Sequence, residues 1–167
     1  MIILNEVNFL QIIIPDEQAM EDFGGRLASV LRPGDVVYLS GELGAGKTTL
    51  VRGAARRLGY QGRVTSPTFT IMNIYQTNPP IYHFDFYRLE NNDLEDLGLG
   101  DYLEKDGIAF IEWPCLTGEL PDQALHIQIE LVDDDYERER RVLVSASGME
   151  YDARLKELKK VVDTGDR

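Results

Sequence analysis

Gly41-Glu42-Leu43-Gly44-Ala45-Gly46-Lys47-Thr48 is the stretch from which the rest of the chain is read. It fits the phosphate-binding loop pattern G-x-x-x-x-G-K-[ST] at every fixed position. Each fixed residue has a physical task. The glycines let the backbone wrap tightly and turn successive N–H groups toward phosphate oxygens. Lys47 is placed to reach the β- and γ-phosphates, and the Thr48 hydroxyl to ligate Mg²⁺. The expected ligand is a nucleoside triphosphate, held by Gly41, Glu42, Leu43, Gly44, Ala45, Gly46, Lys47, Thr48 and Thr49.

The flanks supply the context that the loop needs. Val36-Val37-Tyr38-Leu39-Ser40 is a β-branched and aromatic run, introduced by the turn signal Arg32-Pro33-Gly34-Asp35. After the loop, Leu50, Val51, Ala54, Ala55 and Leu58 recur at helical spacing, and Gly59 stands where a C-terminal cap belongs. Strand, glycine loop and helix follow one another, so the helix N-terminus adds further anion-binding N–H groups.

Composition narrows the class. A chain of 167 residues can bury a real core, and it reads as one domain over 1–167, with a core at about 9–148 and a C-terminal helix and tail at 150–167. A net charge of −12 argues against autonomous binding to nucleic acid, whose affinity rests largely on neutralising phosphates. The densest acidic stretch, Glu90 to Asp106, sets seven carboxylates against Lys105 alone; it reads as a solvated surface or a docking face for a basic partner. Cys115 is the one cysteine, and His83 and His126 are far apart, so neither an intrachain disulfide nor zinc-ligand spacing is present. Met1 to Ile14 lacks the features of a secretion signal, and no apolar run has membrane-spanning length. A cytoplasmic protein is expected.

The rest of the chain alternates between strand and helix patterns. Phe9 to Ile14 reads as a strand. Asp16 then caps a helix whose Met20, Phe23, Leu27, Val30 and Leu31 form one apolar stripe. Phe69–Tyr75 and Ile81–Arg88 read as an antiparallel hairpin around Asn78-Pro79-Pro80. Asp93–Leu97 is expected to be a helical turn and Ile108–Ile111 a short apolar strand. Leu125 to Leu131 and Arg141 to Ser145 alternate as a second hairpin across the polar turn Asp133–Glu137, and Arg154–Val162 suggests a terminal helix. Hairpins mixed with α/β units imply a mixed sheet.

A phosphate-binding loop that hydrolyses its ligand also needs acids to hold Mg²⁺ and orient water. Glu112 ends the apolar run Ile108-Ala109-Phe110-Ile111, and the carboxyl end of a parallel strand is the edge the loop occupies. The competing reading is a strand-end glutamate facing solvent, with Trp113 beside it as packing. In Tyr82-His83-Phe84-Asp85-Phe86-Tyr87-Arg88, alternation puts Phe84 and Phe86 on one face and His83, Asp85 and Tyr87 on the other. Asp85 could reach Mg²⁺ through water, or this could be a polar outer face. Thr65-Ser66-Pro67-Thr68-Phe69 lies where a loop sensing the γ-phosphate is often found, or it is a plain Ser-Pro turn.

On GELGAGKTTLVRG, SPTFT, HFDFYRL and IEWP, in that order and spacing, the chain resembles the bacterial TsaE family, the P-loop ATPases of tRNA threonylcarbamoyladenosine modification. The likeness spans about residues 12 to 148. It implies a P-loop NTPase-like three-layer α/β domain with a mixed parallel and antiparallel sheet. It implies that Lys47 and Thr48 are phosphate and Mg²⁺ ligands, that Thr68 sits in a switch I-like loop and Asp85 in a switch II-like segment, and that Glu112 is the Walker B-like acid. ATP and Mg²⁺ are the implied cofactors, with Thr48, Glu112 and Asp85 around the metal and Lys47, Glu112, Asp85 and Thr68 in catalysis. The implied partners are TsaD and TsaB, which handle the tRNA and which ATP hydrolysis would reset. Cys115-Leu116-Thr117 departs from the more polar segment common in the family.

Two rivals fit a P-loop. A small-molecule kinase would want an arginine-rich acceptor pocket, whereas Arg52, Arg56 and Arg57 look like surface charge on the loop helix; Arg88 is the nearest to a candidate arginine finger. A non-hydrolysing switch of the GTPase kind would want N-K-x-D or a D-x-x-G after the loop, and neither is present.

Overall fold

The computed structural model describes residues 9–87, 98, 100–103, 106–112 and 120–164. Its elements run β1 (Phe9–Ile14), α1 (Glu17–Val30), β2 (Val36–Gly41), α2 (Lys47–Arg57), β3 (Met72–Tyr75), β4 (Ile81–Asp85), α3 (Gly100–Leu103), β5 (Ile108–Glu112), β6 (Ala124–Val132), β7 (Asp135–Ser147) and α4 (Met149–Thr164). One seven-stranded sheet has the order β1-β7-β6-β2-β5-β4-β3. Its centre, β6-β2-β5-β4, is parallel, and β3, β7 and β1 add antiparallel edges. The fold is α/β with a mixed sheet, as the sequence implies.

Alternation along the central strands builds two cores. Val37 and Leu39 of β2, Phe110 of β5 and Ile127 of β6 face α1, α2 and α4, where Leu27, Leu50 and Leu155 are fully buried. Val36, Tyr38, Ala109 and Ile111 face the other way, joining Phe84, Phe86 and Leu103 in a smaller cluster. Strands buried on both faces read as continuous apolar runs, which is why β2 and β5 do.

Local signals explain the elements that frame the loop. The Asp16 side chain accepts from the Ala19 N–H at 2.8 Å and starts α1. Gly59 ends α2 in a Schellman arrangement, with Tyr60 N donating to Ala55 O and Gly59 N to Arg56 O. Helices α1 and α2 meet at glycines: a Cβ on Gly24 would lie 2.0 Å from the Leu50 carbonyl oxygen, and one on Gly53 2.0 Å from that of Glu21. Arg52 then bridges back to Glu17 and Glu21, each at 3.1 Å.

The C-terminal helix is longer than its apolar pattern suggests, beginning at Met149, not at Arg154. It is tied to the start of β2. Asp35 accepts from Arg154 Nε at 2.9 Å and from Arg32 N at 2.8 Å, and the Tyr151 hydroxyl accepts from Val36 N at 2.8 Å.

Three further boundaries differ from the sequence reading. Phe69 is not in a strand: Ile71 N donates to Pro67 O, the chain turns with Ile71 at φ 70°, and β3 begins at Met72. Strand β4 stops at Asp85, because the Asp85 side chain takes the Tyr87 N–H at 2.9 Å and turns the backbone. The β6–β7 turn is tighter than Asp133–Glu137, centring on Asp133 and Asp134 at φ 53° and 54°. Arg88, the helical turn at Asp93–Leu97, Trp113, Cys115 and most of the acidic stretch lie outside the described residues.

Candidate functional site

The loop, Asp85 and Glu112 all emerge at the carboxyl edge of the parallel strands. Asp85 ends β4, Glu112 ends β5, and the two are register partners; Glu112 in turn pairs with Leu39 of β2, two residues before the loop begins. Alternation sends both carboxylates to the side of the sheet that α2 covers. A cavity of about 460 Å³ opens there, lined by the loop with Lys47 and Thr48, by Ser66 and Thr68, and by Asp85, Tyr87 and Glu112.

Neither carboxylate faces bulk solvent. Glu112 is 2% exposed and Asp85 4%, so the outer-face readings of both do not hold. Each is held by its own donors. Asp85 accepts from the Thr68 hydroxyl at 2.8 Å and from Tyr87 N, while Thr68 shares a 2.7 Å hydrogen bond with the Ser66 hydroxyl. Glu112 meets His83 Nε2 at 3.0 Å. His83 shares a face with Asp85, as alternation implies, and on that face its ring meets Glu112 of the neighbouring strand.

Lys47 is buried, and its ammonium donates to the carbonyl oxygens of Gly41 and Glu42. Burial lowers its pKa from the ordinary lysine value, with the charges of Glu112 and Asp85 opposing the shift. The loop backbone turns at its glycines. Gly44 and Gly46 have φ of 81° and 121°, and a Cβ on Gly46 would press to 3.1 Å of Met20.

Two residues hold the loop from outside, and the sequence reading missed both. Tyr136 donates its hydroxyl proton to Leu43 O at 3.2 Å, and Arg140 Nε donates to Ala45 O at 3.0 Å. These donors fix the carbonyls of Leu43 and Ala45 from the β7 side. They lie on β7, 93 and 95 positions along the chain from their partners, so no local pattern signals them. A second cavity of about 420 Å³ lies on this flank, between the loop, Met20, Thr49, Tyr136 and Arg140.

The donor set fits Mg²⁺ and a polyphosphate. Among the described residues no three His, Cys, Asp or Glu side chains converge as a protein-only metal cage. Mg²⁺ does not require one, since it usually takes one or two protein carboxylates and completes its shell with water and phosphate. No arginine lines the cavity beside Lys47 among the described residues, Arg52 pairs with α1, and Arg56 donates to Tyr60 O and Gly62 O.

Residues 14–142 match the family profile described as "Threonylcarbamoyl adenosine biosynthesis protein TsaE". The chain is 44% identical over 133 residues to the tRNA threonylcarbamoyladenosine biosynthesis protein TsaE of Bacillus subtilis, covering 78% of this chain and 82% of that one. It is 43% identical over 136 residues to the protein of the same name from Streptomyces coelicolor, covering 77% and 91%. The crystal structure of Bacillus subtilis YdiB superposes with a TM-score of 0.79 at 34% identity, covering 93% of this chain and 97% of that chain. Profile, relatives and fold agree along nearly the same span, and the chain belongs to the TsaE family of tRNA threonylcarbamoyladenosine biosynthesis.

Proposed function

We propose that this chain is a Mg²⁺-dependent ATPase that serves threonylcarbamoyladenosine formation in tRNA, acting with a TsaD–TsaB pair and resetting it between turnovers. The observation that carries this reading is the single cavity at the carboxyl edge that gathers Lys47, Thr48, Thr68, Asp85 and Glu112. A merely structural glycine turn would not need a buried lysine facing two buried carboxylates.

In this reading the loop N–H groups and Lys47 cradle the β- and γ-phosphates and stabilise the charge on the transferring group. Thr48, with Asp85 and Glu112, would hold Mg²⁺, directly or through water. The metal supplies charge neutralisation across the phosphate oxygens when bound. Glu112 orients the attacking water, and Thr68, already bonded to Asp85, brings the Ser66–Thr68 segment against the γ-phosphate side. The cavity beyond Thr49 would take the nucleoside. Because no arginine of the described residues lines the phosphate cavity, hydrolysis by the chain alone would be slow and partner-stimulated. A factor acting on the tRNA-modifying machinery would work in the cytoplasm.

The test is phosphate release from Mg·ATP by the purified protein, with and without the TsaB–TsaD pair of its own host. A low basal rate that rises with the pair, and that Lys47→Ala takes to background, supports the proposal. A rate indifferent to the pair, or near-normal turnover by Lys47→Ala, overturns it.

A further inference from the structure

Glu112 raises a question that its proposed role does not answer. A carboxylate 2% exposed draws little hydration and must be oriented by protein donors. Among the described residues its one hydrogen-bonding partner is His83, whose Nε2 lies 3.0 Å from Oε2. His83 is itself fully buried, on β4 next to β5, with its other nitrogen, Nδ1, 3.4 Å from the Tyr75 hydroxyl. Tyr75 is 3% exposed and donates to the backbone carbonyl of Thr65 at 3.2 Å, which also accepts from Asn73 Nδ2 at 3.1 Å.

These contacts form one thread from Glu112 through His83 and Tyr75 to Thr65. A second thread runs from Asp85 through Thr68 to Ser66. Both end on the same four-residue segment, Thr65-Ser66-Pro67-Thr68, one after passing through buried His83 and Tyr75 and one at the cavity wall. The fold alone gives little reason for the inner thread. An apolar side chain at position 83 would carry no desolvation cost beside the α2-side core, and the histidine is explained by the oxygen that it holds.

We infer that His83 and Tyr75 are positioning residues: His83 holds Oε2 of Glu112, leaving Oε1 for the cavity, and Tyr75 ties that arrangement to the Thr65 carbonyl. The inference rests on the reading of Glu112 as the acid of the site. It gives the Thr65–Thr68 segment a mechanical link to both carboxylates, so that ordering this segment on a nucleotide sets the aim of both.

The experiment compares His83→Phe, His83→Gln and Glu112→Gln in the full-length protein, by phosphate release and by nucleotide binding without Mg²⁺. His83→Phe is expected to lower kcat about 10- to 100-fold, as loss of a partner behind a ligating group does, with nucleotide Kd changed less than about two-fold. His83→Gln, whose amide can donate from nearly the same place, is expected to recover most of that loss. Imidazole ¹⁵N spectra provide a readout independent of turnover, because His83 and His126 are the two histidines of the chain. Glu112→Ala is expected to move the Nε2 signal of His83 and to leave that of His126 in place.

A normal kcat in His83→Phe beside a dead Glu112→Gln overturns the positioning role and leaves the site reading standing. Normal turnover in Glu112→Gln overturns the site reading, and the positioning role with it. An unmoved His83 signal in Glu112→Ala overturns the pairing itself. Should His83→Phe not fold, Tyr75→Phe removes a hydroxyl alone and is expected to lower kcat roughly five-fold; an unchanged kcat there overturns the link to Thr65.

Discussion

Asp85 and Glu112 stand directly opposite one another on adjacent parallel strands, yet they are held by different groups, Asp85 by Thr68 and Tyr87 N and Glu112 by His83. Two buried carboxylates side by side repel, and Lys47 is the cation that both act on. Under the proposed function the two are expected to divide the work. Glu112→Gln keeps the shape and loses the charge of the residue proposed to orient water, so kcat is expected to fall about 100-fold or more with nucleotide binding retained. Asp85→Asn is expected chiefly to raise the Mg²⁺ concentration needed for half-maximal rate. Phosphate release against Mg²⁺ separates the two; identical profiles would contradict the division.

Burial lowers the pKa of Lys47, so in the free protein its proton leaves below 10.5, the ordinary lysine value. Phosphate binding needs the ammonium. Above the lowered pKa the protein must first take up a proton, so nucleotide affinity is expected to decline as pH rises, beginning before an exposed lysine would titrate. Fluorescence titration of a nucleotide between about pH 7 and 10 checks this. An affinity flat to the top of that range would count against it.

Helices α1 and α2 are in contact through backbone at Gly24 and Gly53, where a Cβ would meet a carbonyl oxygen at 2.0 Å. Gly24→Ala and Gly53→Ala are each expected to cost about 3 kcal/mol, the upper range for overpacking. Gly25 supplies the control on the same helix, since its Cβ would find ordinary contacts at 3.6 and 3.7 Å. Gly25→Ala should stay within about 0.5 kcal/mol or gain slightly from helix propensity. Denaturant midpoints of the three variants decide it.

The Asp35–Arg154 pair is buried on both sides, with side chains 5% and 8% exposed. Arg154→Leu strands a carboxylate beneath α4, and a loss of roughly 3–5 kcal/mol is expected. Asp35→Asn combined with Arg154→Leu should recover part of it, because the stranded charge is gone. A double variant no better than Arg154→Leu would show that the helix contact, not the charge, is what matters.

The strand-loop-helix unit was legible because its signals are local: β-branched residues, fixed glycines, a helical apolar stripe and a glycine cap. Glu112 was legible for a related reason, since an acid that ends a fully apolar strand has one edge of the sheet to occupy. Three things were not. Phe69 follows Thr68 with strand-like residues, but Ile71 adopts φ 70° and its carbonyl accepts from Asp85 N, a tertiary contact that overrides propensity. His83 shares a face with Asp85, and alternation gives the face without saying which neighbour lies across the next strand. Tyr136 and Arg140 reach the loop through the pairing of β6 and β7 beside β2, which no spacing within β7 reveals.

The glycine contact between α1 and α2 also assigns stiffness. With backbone against backbone on that flank, the helix that carries Lys47 and Thr48 has no slack to slide or tilt when charge arrives at its N-terminus. Across the cavity the segment is fastened by the side-chain hydroxyls of Ser66 and Thr68. The two walls of the cavity are thus built differently, one by backbone packed on backbone and the other by a pair of hydroxyl hydrogen bonds.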